Sequence, residues 1–358
     1  VGSEMCIRDS KETAITTNLM GTYKGLDYFK WAKEMDIVSW DSYPAYDTPW
    51  SMVAMRNDLM RGLKDQPFML MEQTPSQQNW QRYNSLKRPG QMRAQSYQTI
   101  AHGGDTIQFF QLRRSKGACE KFHGAVVDHQ GGTEPREFQD VKAMGQLLER
   151  IDAVTQSDVH AQVALVFDWE NRWAIDDAQG PRNKGMHYVE QVQAHYRALW
   201  RMGIPVDIVD EECDISGYKL VIAPMLYLLR EGFEEKLKAF VDQGGTLIGT
   251  YHTGIVNDCD LTYLGGWPGA GLMDVFGVWN ENIDALWDEE RNTLQVGGGK
   301  LRDKGLVRLN PSPGGPGAGH LRPGLLQGRG RPHREPVREG PGLLHRLLCR
   351  GQLLVEVQ

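Results

Sequence analysis

The segment PFMLMEQTPSQQNW, residues 67–80, restricts the fold more than any other part of the sequence. Its first seven residues predict a β-strand, because a short apolar run bounded by turn residues suits a strand that is covered on both faces. The run ends in Glu72, and a carboxylate is costly to bury unless chemistry or an ion pair explains it. Pro75 turns the chain, so that Trp80 can return over the strand end. Taken alone, such a glutamate is more often structural, and the spacing only suggests catalysis.

Residues 13–151 repeat a strand-then-helix order four times. Apolar segments predict strands at residues 14–20, 36–44, 67–73 and 105–114. Helical patterns lie between and after them, at residues 25–35, 52–64, 90–104 and 136–151. Asp27 is the expected N-cap of the first helix, and Gly103 with Gly104 stops the third. Strands that alternate with helices indicate parallel βα units.

Polar residues fall at the predicted carboxyl ends of all four strands. In chain order they are Asn18, Asp41, Ser42, Tyr43, Glu72, Gln73, Gln111 and Arg113. Four βα units fit half of a (β/α)₈ barrel or a small doubly wound sheet, and the polar strand ends favour the barrel, whose active face lies there. Asn18, Tyr43 and Arg113 are the candidates to hydrogen-bond an ionised Glu72.

A second group of candidates lies in the loop after the fourth strand. Glu120 and His123 of the segment EKFH are a carboxylate and an imidazole that could together grip adjacent hydroxyl groups of a ligand. The alternative is a solvated loop with a chance histidine. Asp128 and His129 either support these groups or merely belong to the loop. His102 fits a helix end near the C-terminal dipole.

Four motifs resemble glycoside hydrolase family 42, the β-galactosidases. They are DSYP, FMLMEQTPSQQNW, FFQLRRSKGACEKFHGAVVDH and WENRWAI, and the resemblance covers residues 12–290. It implies retaining hydrolysis of terminal β-D-galactosyl residues through a covalent glycosyl-enzyme. It also implies that Glu72 is the nucleophile, that Trp80 contacts the sugar, and that Glu120 and His123 bind galactose hydroxyls. Tyr43 matches a tyrosine near the nucleophile.

The sequence departs from this family at two places. Leu112 stands where the family usually has tryptophan, which puts part of the sugar packing in doubt. Retaining hydrolysis also needs two carboxylates roughly 5–5.5 Å apart, and the resemblance implies an acid/base glutamate after an asparagine on the fourth barrel strand. The only such pair is Asn280-Glu281, which follows no barrel strand. We therefore expect a C-terminal half barrel that lacks its acid/base and hydrolyses little or nothing alone.

Residues 160–305 predict a second α/β domain. A new α/β unit begins at residues 163–173, and predicted strands at 205–209, 218–229 and 246–251 alternate with helical segments, as in a doubly wound parallel sheet. The segment resembles the amidotransferase-like middle domain of the same family, which implies a homotrimer. Cys213 and Cys259 lie in acidic loops without the geometry of a nucleophilic cysteine, so we expect this domain to be non-catalytic.

Both ends of the chain look unlike the rest. Residues 1–10, VGSEMCIRDS, resemble a translated sequencing adapter and are excluded from the predicted barrel half, residues 11–152. Residues 310–358 shift abruptly to Gly, Pro, Arg and Leu, which fits a disordered basic tail or a frameshift. We favour the frameshift, because a one-base shift can restore a strand-like reading.

Composition excludes several classes of protein. A net charge of -6 argues against a nucleic-acid binder, and no apolar run is long enough to span a membrane. The five scattered cysteines suit reduced thiols in a cytoplasmic protein, and no metal or other cofactor is expected. The alternatives are a related arabinosidase or mannanase, and a non-catalytic sugar-binding or assembly protein.

Overall fold

The computed structural model describes residues 12–280, 282–285, 287, 292–296, 299–303, 306–309, 320–321 and 352–354. The chain divides into two compact units, Val1–Ala161 with Tyr196–Val209, and Gln162–His195 with Asp210–Gln358. The adapter-like residues 1–10 lie outside the described residues, as does most of the segment 310–358. The proposed nature of both ends therefore stays a prediction.

Four parallel strands form the sheet of the first unit, in the order β1-β2-β3-β4. The strands are β1 Asn18–Leu19, β2 Ser39–Asp41, β3 Phe68–Glu72 and β4 Gly104–Ile107. The helices that follow them are α1 Tyr28–Lys33, α2 Trp50–Gly62, α3 Gln91–Ala101 and α4 Arg136–Arg150. The predicted α/β class, with consecutive parallel βα units, is confirmed.

Local sequence explains where these elements begin and what they bury. Asp27 caps α1 as predicted, because its Oδ1 accepts a hydrogen bond from the Lys30 backbone N–H at 3.2 Å. Trp40 of β2 and Phe68 of β3 are almost wholly buried. Gly62 ends α2 against strand β6, Asp207–Val209, where a Cβ would collide with the Ile208 carbonyl oxygen.

The fourth strand is shorter than the sequence predicted. It ends at Ile107 instead of residue 114, because the backbone that follows stops bonding the segment after β3 and bonds a later loop. The Phe110 N–H still donates to the Gln73 carbonyl oxygen at 3.0 Å, but the next residues bond a later loop. The Arg114 N–H donates to the Val127 carbonyl oxygen at 3.0 Å. This local pairing places the loop of residues 115–126 at the carboxyl end of the sheet.

The second unit contains a parallel sheet whose described core runs β9-β7-β5. Its strands are β5 Val163–Val166, β7 Leu220–Ala223 and β9 Thr246–Gly249, and β16 Gln352–Leu354 pairs with β9 in parallel. Its helices are α5 Trp169–Asp177, α6 Tyr188–Arg201, α7 Phe233–Asp242 and α8 Leu272–Phe276. The residues of α6 from Tyr196 onward belong to the first unit. The parallel sheet between helices agrees with the predicted second α/β domain.

The remaining strands are short. They are β8 Leu228–Leu229, β10 Val256–Asn257, β11 Asn282–Ala285, β12 Asn292–Val296, β13 Gly299–Asp303, β14 Leu306–Leu309 and β15 His320–Leu321. β8 pairs with β10 in parallel, whereas β11–β14, β12–β13 and β12–β15 are antiparallel. No helix in the described ranges combines the length and apolar character that crossing a membrane requires.

Candidate active site

Glu72 ends β3, and neighbouring strands hold both oxygens of its carboxylate. The Asn18 amide, on β1, donates to Glu72 Oε1 at 3.2 Å, and the Tyr43 hydroxyl, just after β2, donates to Oε2 at 2.8 Å. Two of the three predicted donors are therefore correct. Arg113 is exposed and pairs through its backbone with Val127, so its prediction as a donor to Glu72 has no support.

Asp41 is the residue whose importance the sequence did not reveal. It is the register partner of Glu72 on the neighbouring strand. The amide nitrogen of Asn18 that reaches Glu72 also lies 3.1 Å from Asp41 Oδ1, so one side chain bridges two carboxyl groups. Burial, and then the charge of Glu72, raise the pKa of Asp41 to about 7. Asp41 thus holds its proton up to near neutral pH.

The carboxyl ¹³C resonance of Asp41 is expected to titrate near pH 7. The pKa of Asp41 should fall in the variant Glu72→Gln, because the neighbouring charge is gone. The folded state binds this proton more tightly than the unfolded chain does. Protonated Asp41 therefore contributes fully to the free energy of unfolding below its ordinary pKa of 3.8, and this contribution is lost as the pH rises to about 7. Glu120→Gln serves as the control, and an equal fall in both variants would contradict the assignment.

His123 lies in an aromatic enclosure with its side chain fully buried. Its ring stacks on Trp80 with centroids 5.2 Å apart and an interplanar angle of 24°, and Tyr43 and Phe110 approach it edge-on at 5.7 and 5.1 Å. Burial lowers the pKa of the imidazole, which favours its neutral form. Nδ1 bonds the Gly124 carbonyl oxygen at 2.9 Å, and a carbonyl can only accept. In the neutral ring, Nε2 is therefore a free acceptor, and it has no partner among the described residues.

Loop contacts hold Trp80 against this histidine. Gln77 donates through Nε2 to the Phe122 carbonyl oxygen at 3.1 Å, and Asn79 donates through Nδ2 to the Cys119 carbonyl oxygen at 2.5 Å. Gly124 allows the loops to approach, since a Cβ there would collide with the hydroxyls of Thr74 and Ser76. These contacts join two loops that are far apart in sequence.

Glu120 belongs to a single 3₁₀ turn, Cys119–Phe122, beside the same enclosure. Burial and the bond to Glu72 raise the pKa of the Tyr43 phenol, and the charge of Glu120 adds to this effect. The electrostatic influence of Glu120 reaches His123 as well. The structure thus gathers the five residues that the resemblance marked, namely Tyr43, Glu72, Trp80, Glu120 and His123.

The remaining candidates from the sequence lie outside this enclosure. His102 Nδ1 lies 2.8 Å from Asp58 Oδ1, and Asp128 pairs with Arg114 at 2.9 Å. His129 Nε2 bonds the Ser115 carbonyl oxygen at 2.8 Å. Leu112, in place of the family tryptophan, is 73% exposed. In the part of the chain that the structure describes, no group of three or more His, Cys, Asp or Glu residues could hold a metal ion.

Comparison with known proteins identifies the family of the chain. Two family models match adjoining parts of the chain, "Beta-galactosidase" over residues 3–151 and "Beta-galactosidase trimerisation domain" over residues 161–309. The chain belongs to the glycoside hydrolase family 42 β-galactosidases. Within this family, β-galactosidase BgaP of Planococcus sp. (strain L4) is 57% identical over 298 residues, which is 83% of this chain and 44% of BgaP. BglY of Alicyclobacillus acidocaldarius is 52% identical, over 80% of this chain and 42% of BglY.

Solved family 42 structures share the fold. The β-galactosidase from Bacillus circulans sp. alkalophilus superposes with a TM-score of 0.85 at 47% identity, covering 89% of this chain and 48% of that one. The β-galactosidase from Rahnella sp. R3 has a TM-score of 0.84 at 46% identity, covering 88% and 48%. The chain therefore spans a little under half the length of the relatives that it matches.

Proposed function

We propose that this chain forms part of a retaining β-galactosidase that removes terminal β-D-galactosyl residues, with Glu72 as the nucleophile. The observation that carries the proposal is the bonding of Glu72, whose two oxygens accept from Asn18 and Tyr43 at a parallel strand end. Family membership supports the substrate class. The carboxylate attacks the anomeric carbon, the bond to the leaving oxygen breaks, and water later hydrolyses the resulting ester.

We further propose that Trp80, His123, Glu120 and Tyr43 form the galactose pocket. Trp80 offers an exposed ring face for the apolar side of the sugar, since it is 53% exposed. The free Nε2 of neutral His123 can accept a hydrogen bond from a sugar hydroxyl, and the Glu120 carboxylate can accept another. Because Trp80 covers the imidazole, sugar entry requires the indole to move.

The acid/base carboxyl is proposed to come from outside the residues of this chain. Asp41 and Glu120 are the described carboxyls that act electrostatically on the Glu72–Tyr43 pair. Asp41 shares its amide partner with Glu72, which places it beside the nucleophile and not across the sugar from it. Substrates whose leaving groups need no proton should therefore react, whereas ordinary galactosides should not.

Azide rescue tests both parts of this proposal. With 2,4-dinitrophenyl β-galactoside, the purified chain should release dinitrophenolate slowly, and azide should accelerate turnover because it replaces water without needing a general base. The product should be β-galactosyl azide, identified by NMR, and lactose should remain intact. Rapid lactose hydrolysis that depends on Glu72 would place the acid/base within the chain. An α-linked azide would contradict retention, and preferential cleavage of an arabinoside or mannoside would assign the pocket to a related glycosidase.

We also propose that the second unit assembles a homotrimer. The match to a trimerisation domain supports this assignment, and we place the domain at residues 160–305, after a barrel half at 11–152. Sedimentation equilibrium should give three times the chain mass, and a monomer at every concentration would exclude the trimer.

We also propose a reducing, cytoplasmic setting, which is supported by the free thiols of Cys119, Cys213 and Cys259.

A further inference from the structure

A groove lies beside the proposed galactose pocket, between the loops that follow β2 and β3. The first turns of α2 and α3 close its other sides. The lining contains none of Tyr43, Glu72, Trp80, Glu120 or His123. The groove is therefore a concavity separate from the proposed galactose pocket.

Exposed aromatic and apolar side chains line this groove. Tyr46 is 79% exposed, Tyr83 71%, Leu86 59% and Trp50 43%. Such side chains gathered in one concavity mark a binding site more often than scattered ones do. Flat rings suit the apolar face of a pyranose, because they bury it while leaving the hydroxyls at the ring edge free.

The rest of the lining is polar but carries no acidic side chain. Hydroxyl and amide groups predominate, and the exposed Arg88 adds a guanidinium; the hydroxyl and amide groups come from Thr48, Thr74, Ser76, Gln78, Ser85, Gln91 and Gln95. The buried Lys87 amine already donates to the Thr74 carbonyl oxygen at 2.7 Å, and burial lowers its pKa to about 7. The lining thus offers no carboxylate to a cation, and its buried amine is already engaged. Hydroxyl, amide and guanidinium groups beside aromatic rings match a hydroxyl-rich ligand.

Internal hydrogen bonds hold the groove open in advance. Gln78 Nε2 donates to the Pro44 carbonyl oxygen at 2.9 Å, which ties the two loops together. Gln98 Nε2 donates to the Trp50 carbonyl oxygen at 3.0 Å, and the Lys87 N–H donates to the Ser76 carbonyl oxygen at 3.1 Å. A preformed site loses less free energy to ordering when a ligand binds.

We propose that this groove is a second sugar-binding site, which holds one neutral hexopyranose unit apart from the Glu72 pocket. Stacking on Trp50 and Tyr83 supplies most of the contact, and the hydroxyl and amide groups set the orientation. Binding of a single sugar unit by such contacts belongs in the millimolar range. The site would hold a second part of a long substrate, or a separate saccharide, close to the catalytic pocket.

Titration with lactose, followed by the indole N–H resonances of the 358-residue chain, tests the groove. The Trp50 signal should shift saturably, with a dissociation constant on the order of millimolar. Trp50→Ala and Tyr83→Ala should each weaken binding at the groove, read from the remaining aromatic resonance, by roughly five- to tenfold. Trp31→Ala is the matched control, because Trp31 is 45% exposed in the same unit but lies outside the groove.

The outcomes separate this site from the galactose pocket. A saturable Trp50 shift with no Trp80 response supports the groove and counts against the pocket. If the Trp50 indole resonance does not shift with lactose, the proposal of a sugar site in the groove is wrong. If it shifts instead with protein concentration, the occupant of the groove is a second copy of the chain. Tyr83 is largely exposed, so Tyr83→Ala decides the question if Trp50→Ala fails to fold. Unchanged affinity in a folded Tyr83→Ala chain would also overturn the proposal.

Discussion

Glu72→Gln is expected to abolish covalent capture of 2,4-dinitrophenyl 2-deoxy-2-fluoro-β-galactoside. The fluorine slows both steps, but dinitrophenolate leaves without protonation, so the reaction depends on the nucleophile and not on an acid. An amide is a far weaker nucleophile than a carboxylate, and the labelling rate should fall by at least about a thousandfold. Intact-protein mass spectrometry should show one added fluorogalactosyl group on the unsubstituted chain, and peptide mapping should place it on Glu72.

The amide variant keeps the shape of the side chain, so loss of labelling reports chemistry and not packing. Glu149→Gln is the control, because Glu149 is an exposed glutamate near the end of α4 and should leave the rate unchanged. Near-UV circular dichroism should match across all three proteins. Labelling that persists in Glu72→Gln, or that maps to Asp41, would assign the nucleophile elsewhere.

The sequence predicted the centre of this site better than its surroundings. A carboxylate at the end of an apolar strand identified Glu72, and residues at neighbouring strand ends identified Asn18 and Tyr43 as its donors. Parallel strands bring their carboxyl ends together, so strand order alone implied these contacts. The pairing of Asp41 with Glu72 depends on a register shift between Trp40 and Asp41, which no local pattern reports.

The enclosure of His123 shows where sequence reasoning reached its limit. A histidine in a glycine-containing loop reads as solvated, yet it is fully buried against Trp80 and Phe110. Its burial follows from hydrogen bonds between loops about 40 residues apart in sequence. A separate backbone pairing, between residues 111–114 and 126–127, ends β4 early. Strand and helix order is a local property and was correctly predicted, whereas strand ends and loop contacts depend on partners elsewhere in the chain.

Arg61→Met is expected to lower the free energy of unfolding of the first unit by about 3–5 kcal/mol. Arg61 is 4% exposed, and its guanidinium bonds Asp58, Asp207 at 2.8 Å and the carbonyl oxygens of His102 and Val206. It thereby joins α2 to the segment around β6. Methionine preserves much of the volume but leaves both carboxylates without this cation, and an uncompensated buried charge is costly.

Urea unfolding followed by tryptophan fluorescence measures the loss, with the slope compared between variants so that a change in midpoint reports stability. Arg93→Met, on the exposed face of α3, should change stability by no more than about 0.5 kcal/mol. The free energy of unfolding of Arg61→Lys should lie between those of Arg61→Met and Arg93→Met, because an ammonium keeps the charge but cannot reach all four acceptors.

The hydroxyl of Tyr196 also donates to Asp58, so the double variant Arg61→Met/Tyr196→Phe should lose more stability than the sum of the single changes. Equal stability of Arg61→Met and the unsubstituted chain would mean that water compensates both carboxylates, and that the β6 segment is held by packing alone.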